Sequence, residues 1–327
     1  MILSEKSMAI IGNGGAAIQS IKALRHSNYQ GKIYLFSDHE RPAYNPMLTS
    51  YYVAGKIPYE NCFPYGNNFQ IYEDYQVDLH LGSPVVELDT KKQKIVTGEG
   101  KKYYYDGCII ATGASAVLPS SMQSQQVKTL RTMDDAIALK NCLERGVIHR
   151  ALVVGASMVG IKVVELLLAQ GVRVSLADLA PQVFPLAAHP HCARLVEEYL
   201  QKKGVRLRLG TRIERIEDRG NQAEVLFAGR DEGELVDLVV MCIGVRPNLQ
   251  FLDPDQIQID QGIVVDEKMR SSVPNIFAAG DVAQGKNLLN GKKEIIGLWH
   301  NALYQGRTAG HNLAGKDDTY PGSIPQN

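Results

Sequence analysis

Two segments of this chain share one pattern, in which an apolar strand runs into a glycine-rich turn and then into a helix. The first is MAIIGNGGAAIQS, close to the N-terminus, and the second is ALVVGASMVGIKVVELLLAQGVRVSLAD, Ala151 to Asp178. Such a turn leaves backbone N–H groups free at the positive end of a helix, where the pyrophosphate of a dinucleotide binds. The repetition predicts two dinucleotide-binding units in one chain.

The first unit has small residues at Gly12, Gly14 and Ala17. Gly12 permits the tight turn, Gly14 lets a pyrophosphate approach the backbone, and Ala17 lets the helix pack closely on the strand. A second strand, KIYLF, ends at SDHE, where we favour Asp38 as the acid that accepts from a ribose hydroxyl. The glycine pattern alone also fits an ordinary tight turn, but strand, helix, strand and acid in this order favour the dinucleotide site.

The second unit has Gly155, Ser157 and Gly160 in the three glycine places, and Asp178 at the end of the strand VRVSLA. Asp178 is followed by Leu179 and Ala180 with no arginine, and its carboxylate would repel a 2′-phosphate, so the sequence favours NADH over NADPH. The alternative is that Asp178 only caps the turn that follows it.

Composition excludes several other classes of protein. The 327 residues include 35 basic and 35 acidic ones, so no field of one sign points to nucleic acid or to an anionic membrane. We find no apolar run of membrane-spanning length and no signal-peptide pattern, and we expect a cytoplasmic protein without membrane insertion.

The five cysteines are widely separated and show no metal-ligand spacing. We therefore predict no metal site, and we expect reduced thiols at Cys62, Cys108, Cys142, Cys192 and Cys242.

Three further apolar strands end in glycine turns, in the segments CIIATGAS, VVMCIGVRPN and VPNIFAAGDVAQG. With GNGGAA, ATG, GASMVG, GVRPN and AAGD in this order, the sequence resembles the FAD-dependent pyridine nucleotide-disulfide oxidoreductase superfamily over essentially its whole length. The resemblance is closest to the rubredoxin/ferredoxin reductase and NADH-dependent nitrite reductase flavoprotein branch.

The resemblance implies an α/β fold with two Rossmann-like dinucleotide-binding domains. The NAD-binding domain (116–244) would be inserted in a discontinuous FAD-binding domain (1–115 and 245–327). The sequence ends in DDTYPGSIPQN, about where relatives begin a C-terminal domain that often covers the flavin or forms the dimer. We expect that interface domain to be absent.

The resemblance also implies roles for individual residues. In the family, the first fingerprint binds the ADP half of FAD, the ATG turn lies beside it, and the aspartate of AAGD binds the ribityl chain. The implied FAD-binding residues are Gly12, Gly14, Ala17, Asp38, Thr112, Gly113, Gly280 and Asp281. The implied NAD-binding residues are Gly155, Ser157, Gly160 and Asp178.

The segment GLWHNALYQGRTAGHNLAG predicts a helix that starts near Trp299. In relatives this helix points its N-terminus at the pyrimidine edge of the flavin, where its dipole would stabilise negative charge. Trp299 would then lie near the flavin; the alternative is a tryptophan packed in the core.

The sequence departs from the disulfide-using members of the superfamily. The segment RPAYNPMLTSYYVAGKI contains no cysteine, and Met47 and Leu48 lie about where a thiol would be needed. Cys62 is the nearest cysteine, without a second cysteine or a histidine beside it, so a redox role is not expected. Electrons should therefore leave the flavin directly.

A second departure concerns Lys162. Rubredoxin-reductase-like members usually carry an arginine and a lysine where this sequence has Asn45 and Ser50, and a glutamate where it has Lys162. Our hypothesis is that Lys162 supplies the missing cation beside the flavin N5 and the nicotinamide. The alternative is a surface lysine paired with an acid such as Glu165.

The expected function is that of an FAD-containing NADH:acceptor oxidoreductase. A hydride would pass from C4 of NADH to the flavin N5, and electrons would go on to an iron–sulfur protein, a rubredoxin or a reductase domain. Two other functions remain open: a flavin-binding subunit or redox sensor without turnover, and an NADH oxidase that forms peroxide.

Overall fold

The computed structural model describes residues 6–229 and 233–325. Among these residues the α-helices are α1 (Gly15–His26), α2 (Thr49–Val53), α3 (Gln70–Asp74), α4 (Met133–Glu144), α5 (Met158–Ala169), α6 (Pro190–Lys202) and α7 (Trp299–Leu313). The strands of the first half are β1 (Ser7–Ile11), β2 (Lys32–Phe36), β3 (Val77–His80), β4 (Val85–Asp89), β5 (Lys94–Thr97), β6 (Lys102–Tyr104), β7 (Gly107–Ile110), β8 (Ala114–Ala116), β9 (Val127–Thr129) and β10 (Arg150–Val154). The remaining strands are β11 (Arg173–Ala177), β12 (Arg206–Arg208), β13 (Ile213–Arg219), β14 (Gln222–Phe227), β15 (Glu234–Val236), β16 (Leu238–Met241), β17 (Val245–Pro247), β18 (Ile263–Val264), β19 (Ile276–Ala278), β20 (Ala283–Lys286) and β21 (Lys293–Glu294).

The chain divides into two compact units. The first unit consists of Met1–Asn45, Phe63–Ala114 and Pro247–Asn327, and the second of Pro46–Cys62 and Ser115–Arg246. The predicted domain boundaries agree with this division to within two residues, except that 46–62 belongs to the second unit. There α2 packs on α4 and α5, and Val53 is buried.

The first unit is built on a parallel five-stranded sheet with the order β19-β7-β1-β2-β3. The inner strands β1 and β7 are almost wholly buried apolar residues, as expected for a parallel sheet covered on both faces. Two three-stranded sheets, β4-β5-β6 and β18-β20-β21, complete this unit.

Helices α1 and α7 of the first unit pack very closely. An added Cβ at Gly306 would overlap the carbonyl oxygen of Ala16, and one at Gly310 would lie 2.5 Å from the carbonyl oxygen of Ser20. The hydroxyl of Ser20 donates to the carbonyl oxygens of Ala16 and Gly306, at 2.9 Å in each case. Small residues therefore fix the position of α7 against the helix of the first fingerprint.

The second unit repeats the design with a parallel sheet of order β12-β11-β10-β16-β9 and a three-stranded antiparallel sheet, β13-β14-β15. The predicted α/β fold with two Rossmann-like units is confirmed. In the part of the chain that the structure describes, no helix is both long and apolar enough to cross a membrane.

Candidate functional site

The first fingerprint begins at Gly12, whose φ of +107° favours glycine. Its N–H donates to the carbonyl oxygen of Phe36 at 2.8 Å, and an added Cβ would overlap the carbonyl oxygen of Ala111. Gly12 thus lies where the carboxyl ends of β1, β2 and β7 meet, in contact with backbone on two sides. A side chain there would force these strand ends apart.

Gly14 is the N-cap residue of α1, and no side chain of the described residues caps this helix. Apart from Gly14 and its immediate chain neighbours, none of the described residues has an atom within 4 Å of a Cβ built at Gly14, so the space beside it is open. Ala17 is fully buried against the sheet. The uncapped N–H groups and the open space fit a pyrophosphate, which would satisfy donors that the protein leaves free.

The loop that follows β2 is held to the fingerprint by a buried tyrosine. The hydroxyl of Tyr72 donates to Asn13 Oδ1 at 2.8 Å and accepts from the N–H of Ala43 at 2.9 Å, while Asn13 Nδ2 donates to the carbonyl oxygen of Arg41 at 3.1 Å. Burial raises the pKa of Tyr72, so its hydroxyl stays a donor. Sequence reasoning missed this network, since its members are distant in the chain.

Asp38 follows β2 with a side chain that is 66% exposed. His39 Nε2 lies 3.6 Å from its Oδ1. The carboxylate is therefore accessible to a ligand, and its contact with a ribose stays a prediction.

The ATG turn is closed by the asparagine of the GVRPN segment. Thr112 Oγ1 donates to the carbonyl oxygen of Asn248, and Asn248 Nδ2 donates to the carbonyl oxygen of Thr112, both at 2.9 Å. The N–H of Asn248 also donates to the carbonyl oxygen of Gly113 at 3.0 Å, and Gly113 has a φ of +63°. The ATG and GVRPN motifs were both recognised in the sequence, but the hydrogen bonds between them were not predicted.

The AAGD segment lies between α1 and α7. Gly280 has a φ of +81°, and an added Cβ would lie 3.5 Å from the Cβ atoms of both Ala16 and Ala302. Its N–H donates to Oε1 of the buried Gln305 at 2.8 Å. The turn that carries Asp281 is thereby fixed to both helices.

The N-terminus of α7 lies beside the first fingerprint. An added Cβ at Gly15 would lie 2.7 Å from the ring of Trp299, and one at Gly297 would lie 3.7 Å from the carboxylate of Asp281. Trp299 is half-buried, and none of the described side chains caps α7. The predicted helix start at Trp299 is confirmed, and the structure brings Trp299, Asp281 and the first fingerprint together; the role of Trp299 beside a flavin stays a prediction.

The second fingerprint has the same backbone geometry as the first. Gly155 has a φ of +107°, its N–H donates to the carbonyl oxygen of Ala177 at 2.8 Å, and an added Cβ would overlap the carbonyl oxygen of Cys242. An added Cβ at Gly160 would overlap the carbonyl oxygen of Gly155. Both glycines are therefore required by close backbone contacts.

Ser157 makes the second fingerprint different. It is the N-cap residue of α5, and its hydroxyl accepts from the N–H of Gly160 at 3.4 Å and donates to the carbonyl oxygen of Cys242 at 3.3 Å. One of the N–H groups at this helix end therefore already has a partner within the protein.

Asp178 is held by backbone groups on both of its oxygens. Oδ2 accepts from the N–H of Ala156 at 2.6 Å, and Oδ1 accepts from the N–H of Ala180 at 2.7 Å. The residue does cap the turn that follows it, and it also fixes the fingerprint loop. Its oxygens retain further acceptor capacity, and its ribose contact stays a prediction.

The loop after β12 lies beside Asp178. The N–H of Thr211 donates to the carbonyl oxygen of Asp178 at 3.0 Å, which places the exposed Arg212 next to this position. The neighbouring Arg208 is buried and bonded to Glu234, with 2.7 Å from its Nε to Oε2. Sequence reasoning considered only the residues that follow Asp178 and so did not take Arg212 into account.

Lys162 lies on α5, in a cluster with side chains of the segment 46–62. Its Nζ is 3.2 Å from Glu165 Oε2, while Lys56 Nζ is 2.9 Å from Glu165 Oε1, and these contacts lower the pKa of Glu165. Lys162 Nζ also lies 5.6 Å from the ring centroid of Tyr51, and with Ser50 these residues line one small pocket. This ion pair with Glu165 is the alternative that the sequence left open for Lys162. An action of Lys162 on a flavin stays a prediction.

The buried cysteine thiols are expected to be unreactive. Cys62, Cys108 and Cys242 are buried, and burial raises the pKa of each, to about 12 for Cys242. These thiols therefore stay protonated at neutral pH and are poor nucleophiles. Cys192 is exposed and Cys142 is partly exposed.

Residues 6–229 and 233–325 contain no group of three or more histidine, cysteine, aspartate or glutamate side chains arranged to hold a metal ion.

Comparison with known proteins identifies the family. Residues 6–306 match the family model described as pyridine nucleotide-disulphide oxidoreductase. The chain is 30% identical to an NADH oxidase of Methanocaldococcus jannaschii, over 94% of this chain and 69% of that protein. It is 29% identical to a rubredoxin-NAD(+) reductase of Pseudomonas putida, over 96% of this chain and 82% of that protein.

A solved structure gives the same result. The structure of a covalent putidaredoxin reductase–putidaredoxin complex superposes with a TM-score of 0.87 at 26% identity, over 99% of this chain and 77% of that one. The chain therefore belongs to the pyridine nucleotide-disulphide oxidoreductase family, whose members bind FAD and depend on NAD(P)H.

Proposed function

We propose that the protein is an FAD-containing oxidoreductase that takes electrons from NADH and passes them to a redox protein. The observation that carries this proposal is the pair of fingerprints in two separate units, with Gly12 and Gly155 in one backbone conformation. One unit would hold the resident flavin, and the other would bind the nucleotide that reduces it.

The residues of the first unit fit FAD. Gly14 and the uncapped start of α1 offer donors and space for the pyrophosphate, and Asp38 is accessible for the ribose. Thr112 and Gly113 would lie beside the ADP half, and Asp281 would hold the ribityl chain. The half-buried Trp299 would lie at the flavin end of this site.

The second unit fits NADH through Gly155, Ser157, Gly160 and Asp178. The carboxylate of Asp178 disfavours a 2′-phosphate, and the buried guanidinium of Arg208 is already paired with Glu234. Arg212, which is exposed beside this site, could pair with a 2′-phosphate. NADPH is therefore the nucleotide to compare directly with NADH.

Bound FAD supplies the redox chemistry, since it exchanges hydride with nicotinamides and releases electrons singly. The chain binds and orients the two dinucleotides and stabilises charge through the N-terminus of α7. Because the thiols of Cys62, Cys108 and Cys242 are buried and protonated, none of them would serve as an electron relay.

The acceptor would be an iron–sulfur protein, a rubredoxin or a partner reductase domain, in the cytoplasm. The rubredoxin-NAD(+) reductase relative and the putidaredoxin complex support this class of partner. The NADH oxidase relative supports a second candidate, in which oxygen is the acceptor. Peroxide would be the product, because none of the three buried thiols is suited to a redox role.

The test is an anaerobic titration of the FAD-loaded protein with NADH, followed by bleaching of the flavin absorbance, with NADPH in parallel. Stoichiometric bleaching by NADH is expected. A bound flavin that neither nucleotide reduces would overturn the proposal and leave a flavin-binding subunit or redox sensor. Rapid aerobic NADH consumption without any carrier protein would instead favour the oxidase.

A further inference from the structure

A segment of ten residues, 314–323, follows α7 and folds back on the same unit; we name it the strap. The N–H of Tyr320 donates to the carbonyl oxygen of Glu267 at 2.7 Å. The N–H of Ser323 donates to the carbonyl oxygen of Lys286 at 3.0 Å, and its own carbonyl oxygen accepts from the N–H of Leu288 at 2.9 Å. These backbone bonds hold the strap at both ends of its second half.

Asn312 fixes the first half of the strap to α7. Its Nδ2 donates to the carbonyl oxygens of Asp318, at 2.7 Å, and Lys268, at 3.0 Å, and its Oδ1 accepts from the N–H of Asp318 at 3.0 Å. His311 Nδ1 also lies 2.8 Å from a carboxylate oxygen of Asp318. The first half of the strap is therefore attached to the last turn of α7. The second half of the strap contacts the start of the same helix.

The contact between the strap and the start of α7 is made by the side chain of Tyr320, which is 2% exposed. Its hydroxyl donates to Oδ1 of Asn301 at 2.6 Å, and Asn301 Nδ2 donates to the carbonyl oxygen of Ile296 at 2.9 Å. Asn301, also buried, is the third residue of α7. Burial raises the pKa of Tyr320, which keeps the hydroxyl protonated as the donor.

The first turn of α7 is the part of the helix that faces the proposed flavin site. Trp299 contacts Gly15 of the first fingerprint, Gly297 lies beside the carboxylate of Asp281, and the described residues supply no side-chain cap for the helix. A small displacement of this turn would move free N–H groups and the positive end of the dipole relative to a bound flavin.

We propose that Tyr320 is a positioning residue for FAD, which holds the N-terminus of α7 in place through Asn301. This inference rests on the proposed function, because it assumes that FAD occupies the first unit. Removal of the hydroxyl leaves Asn301 Oδ1 buried without its donor, so the first turn of α7 would adjust to reach another one.

The test is Tyr320→Phe, which keeps the ring and removes only the hydroxyl. The matched control is Tyr304→Phe, since Tyr304 lies on α7 with its ring centroid 6.0 Å from that of Tyr320 but is 40% exposed. The midpoint potential of the bound flavin is measured by reduction with dithionite against a redox dye, and the FAD dissociation constant by recovery of flavin fluorescence. Asn301→Ala is the second variant on the same bond.

We expect Tyr320→Phe and Asn301→Ala to shift the potential to more negative values and to raise the FAD dissociation constant about tenfold. Tyr304→Phe should change neither quantity. If the two variants only lower the unfolding temperature and keep the wild-type potential and FAD affinity, the contact is structural and the inference is wrong.

The use of dithionite separates this inference from the proposed function. A wild-type protein whose bound flavin is not reduced by NADH would contradict the proposed function, while the potentials of the variants would still decide the role of Tyr320. A wild-type protein that binds no FAD would overturn both.

Discussion

The two fingerprints of this protein have the same backbone and different helix caps. At Gly12 and Gly155, φ is +107°, and each N–H donates at 2.8 Å to the last residue of the neighbouring strand. The helix of the first unit begins at Gly14 without a side-chain cap from the described residues, whereas Ser157 caps the helix of the second. The helix of the first unit therefore begins with free N–H donors, whereas at the start of the second helix one N–H donor already has a partner.

This difference teaches how one fold can serve a resident and an exchanging ligand. The N–H groups of a helix end without a side-chain cap are left to water until an anion binds there, and the charged acceptor favours retention of that ligand. A helix end that Ser157 already caps gains less from the ligand and stays stable without it. The first arrangement fits the proposed FAD, and the second fits an NADH that must leave after each turnover.

The largest expected effect comes from the same substitution at equivalent positions of the two units, Gly12→Ala and Gly155→Ala. Each puts a Cβ into a carbonyl oxygen at a φ that disfavours alanine, at a cost of about 3 kcal/mol or more. We expect Gly12→Ala to lose FAD on purification and Gly155→Ala to keep FAD but lose reduction by NADH about a hundredfold. Flavin content and stopped-flow bleaching measure the two, and loss of FAD from both variants alike would break the comparison.

The next contrast is between the two acids that follow the second strand of each unit. Asp178→Ala removes the acceptor of two backbone N–H groups, so the free energy of unfolding should fall by about 1–3 kcal/mol. Asp38→Ala removes an exposed carboxylate, so stability should change by less than about 0.5 kcal/mol while FAD affinity falls about tenfold. Urea unfolding of the apo-proteins and FAD titration provide the measurements; equal losses of stability would contradict the structure.

Exchange of the caps should have a smaller effect. Gly14→Ser would supply a competing cap and fill the open space, and we expect FAD to bind about tenfold more weakly. Ser157→Gly costs only a few tenths of a kcal/mol as a cap and frees an N–H group, so NADH should bind about two- to threefold more tightly. Should both variants bind as the wild type does, the caps do not distinguish the two sites.

A small effect is also expected for Lys162. Lys162→Met removes one of two cations paired with Glu165, and its side chain is 46% exposed, so the change in the rate of flavin reduction by NADH should be about two- to fivefold. Lys56→Met is the control, since it removes the other cation of the same carboxylate. A flavin potential and a reduction rate that both stay at wild-type values in Lys162→Met would end the hypothesis for this residue.

Local patterns in the sequence predicted much of the fold and of the candidate site. The strands that enter both fingerprints, the turn after KIYLF and the helix that starts at Trp299 all follow from short-range periodicity and from glycines in strained turns. Contacts between distant residues could not be read in this way. Tyr72 with Asn13, and Asn248 with Thr112, are 59 and 136 residues apart.

The segment 46–62 shows the same limit. The resemblance to the family assigned it to the FAD-binding domain, whereas its short helix packs on α4 and α5 of the second unit. Chain order carries no information about which of two units a short helix will pack on, because burial depends on the surface that is available in the folded protein.

The sequence by itself therefore determined the two dinucleotide folds, their order and the residues of each turn, because backbone conformation and strand periodicity are local properties. The tertiary structure decided which groups are left free and which are satisfied. The N–H groups at the start of α1 are open, the hydroxyl of Ser157 donates to the carbonyl oxygen of Cys242, and the carboxylate of Asp178 accepts from the N–H of Ala156. Asn301 Oδ1 accepts from the hydroxyl of Tyr320. These differences depend on hydrogen bonds between segments that meet only when the chain is folded.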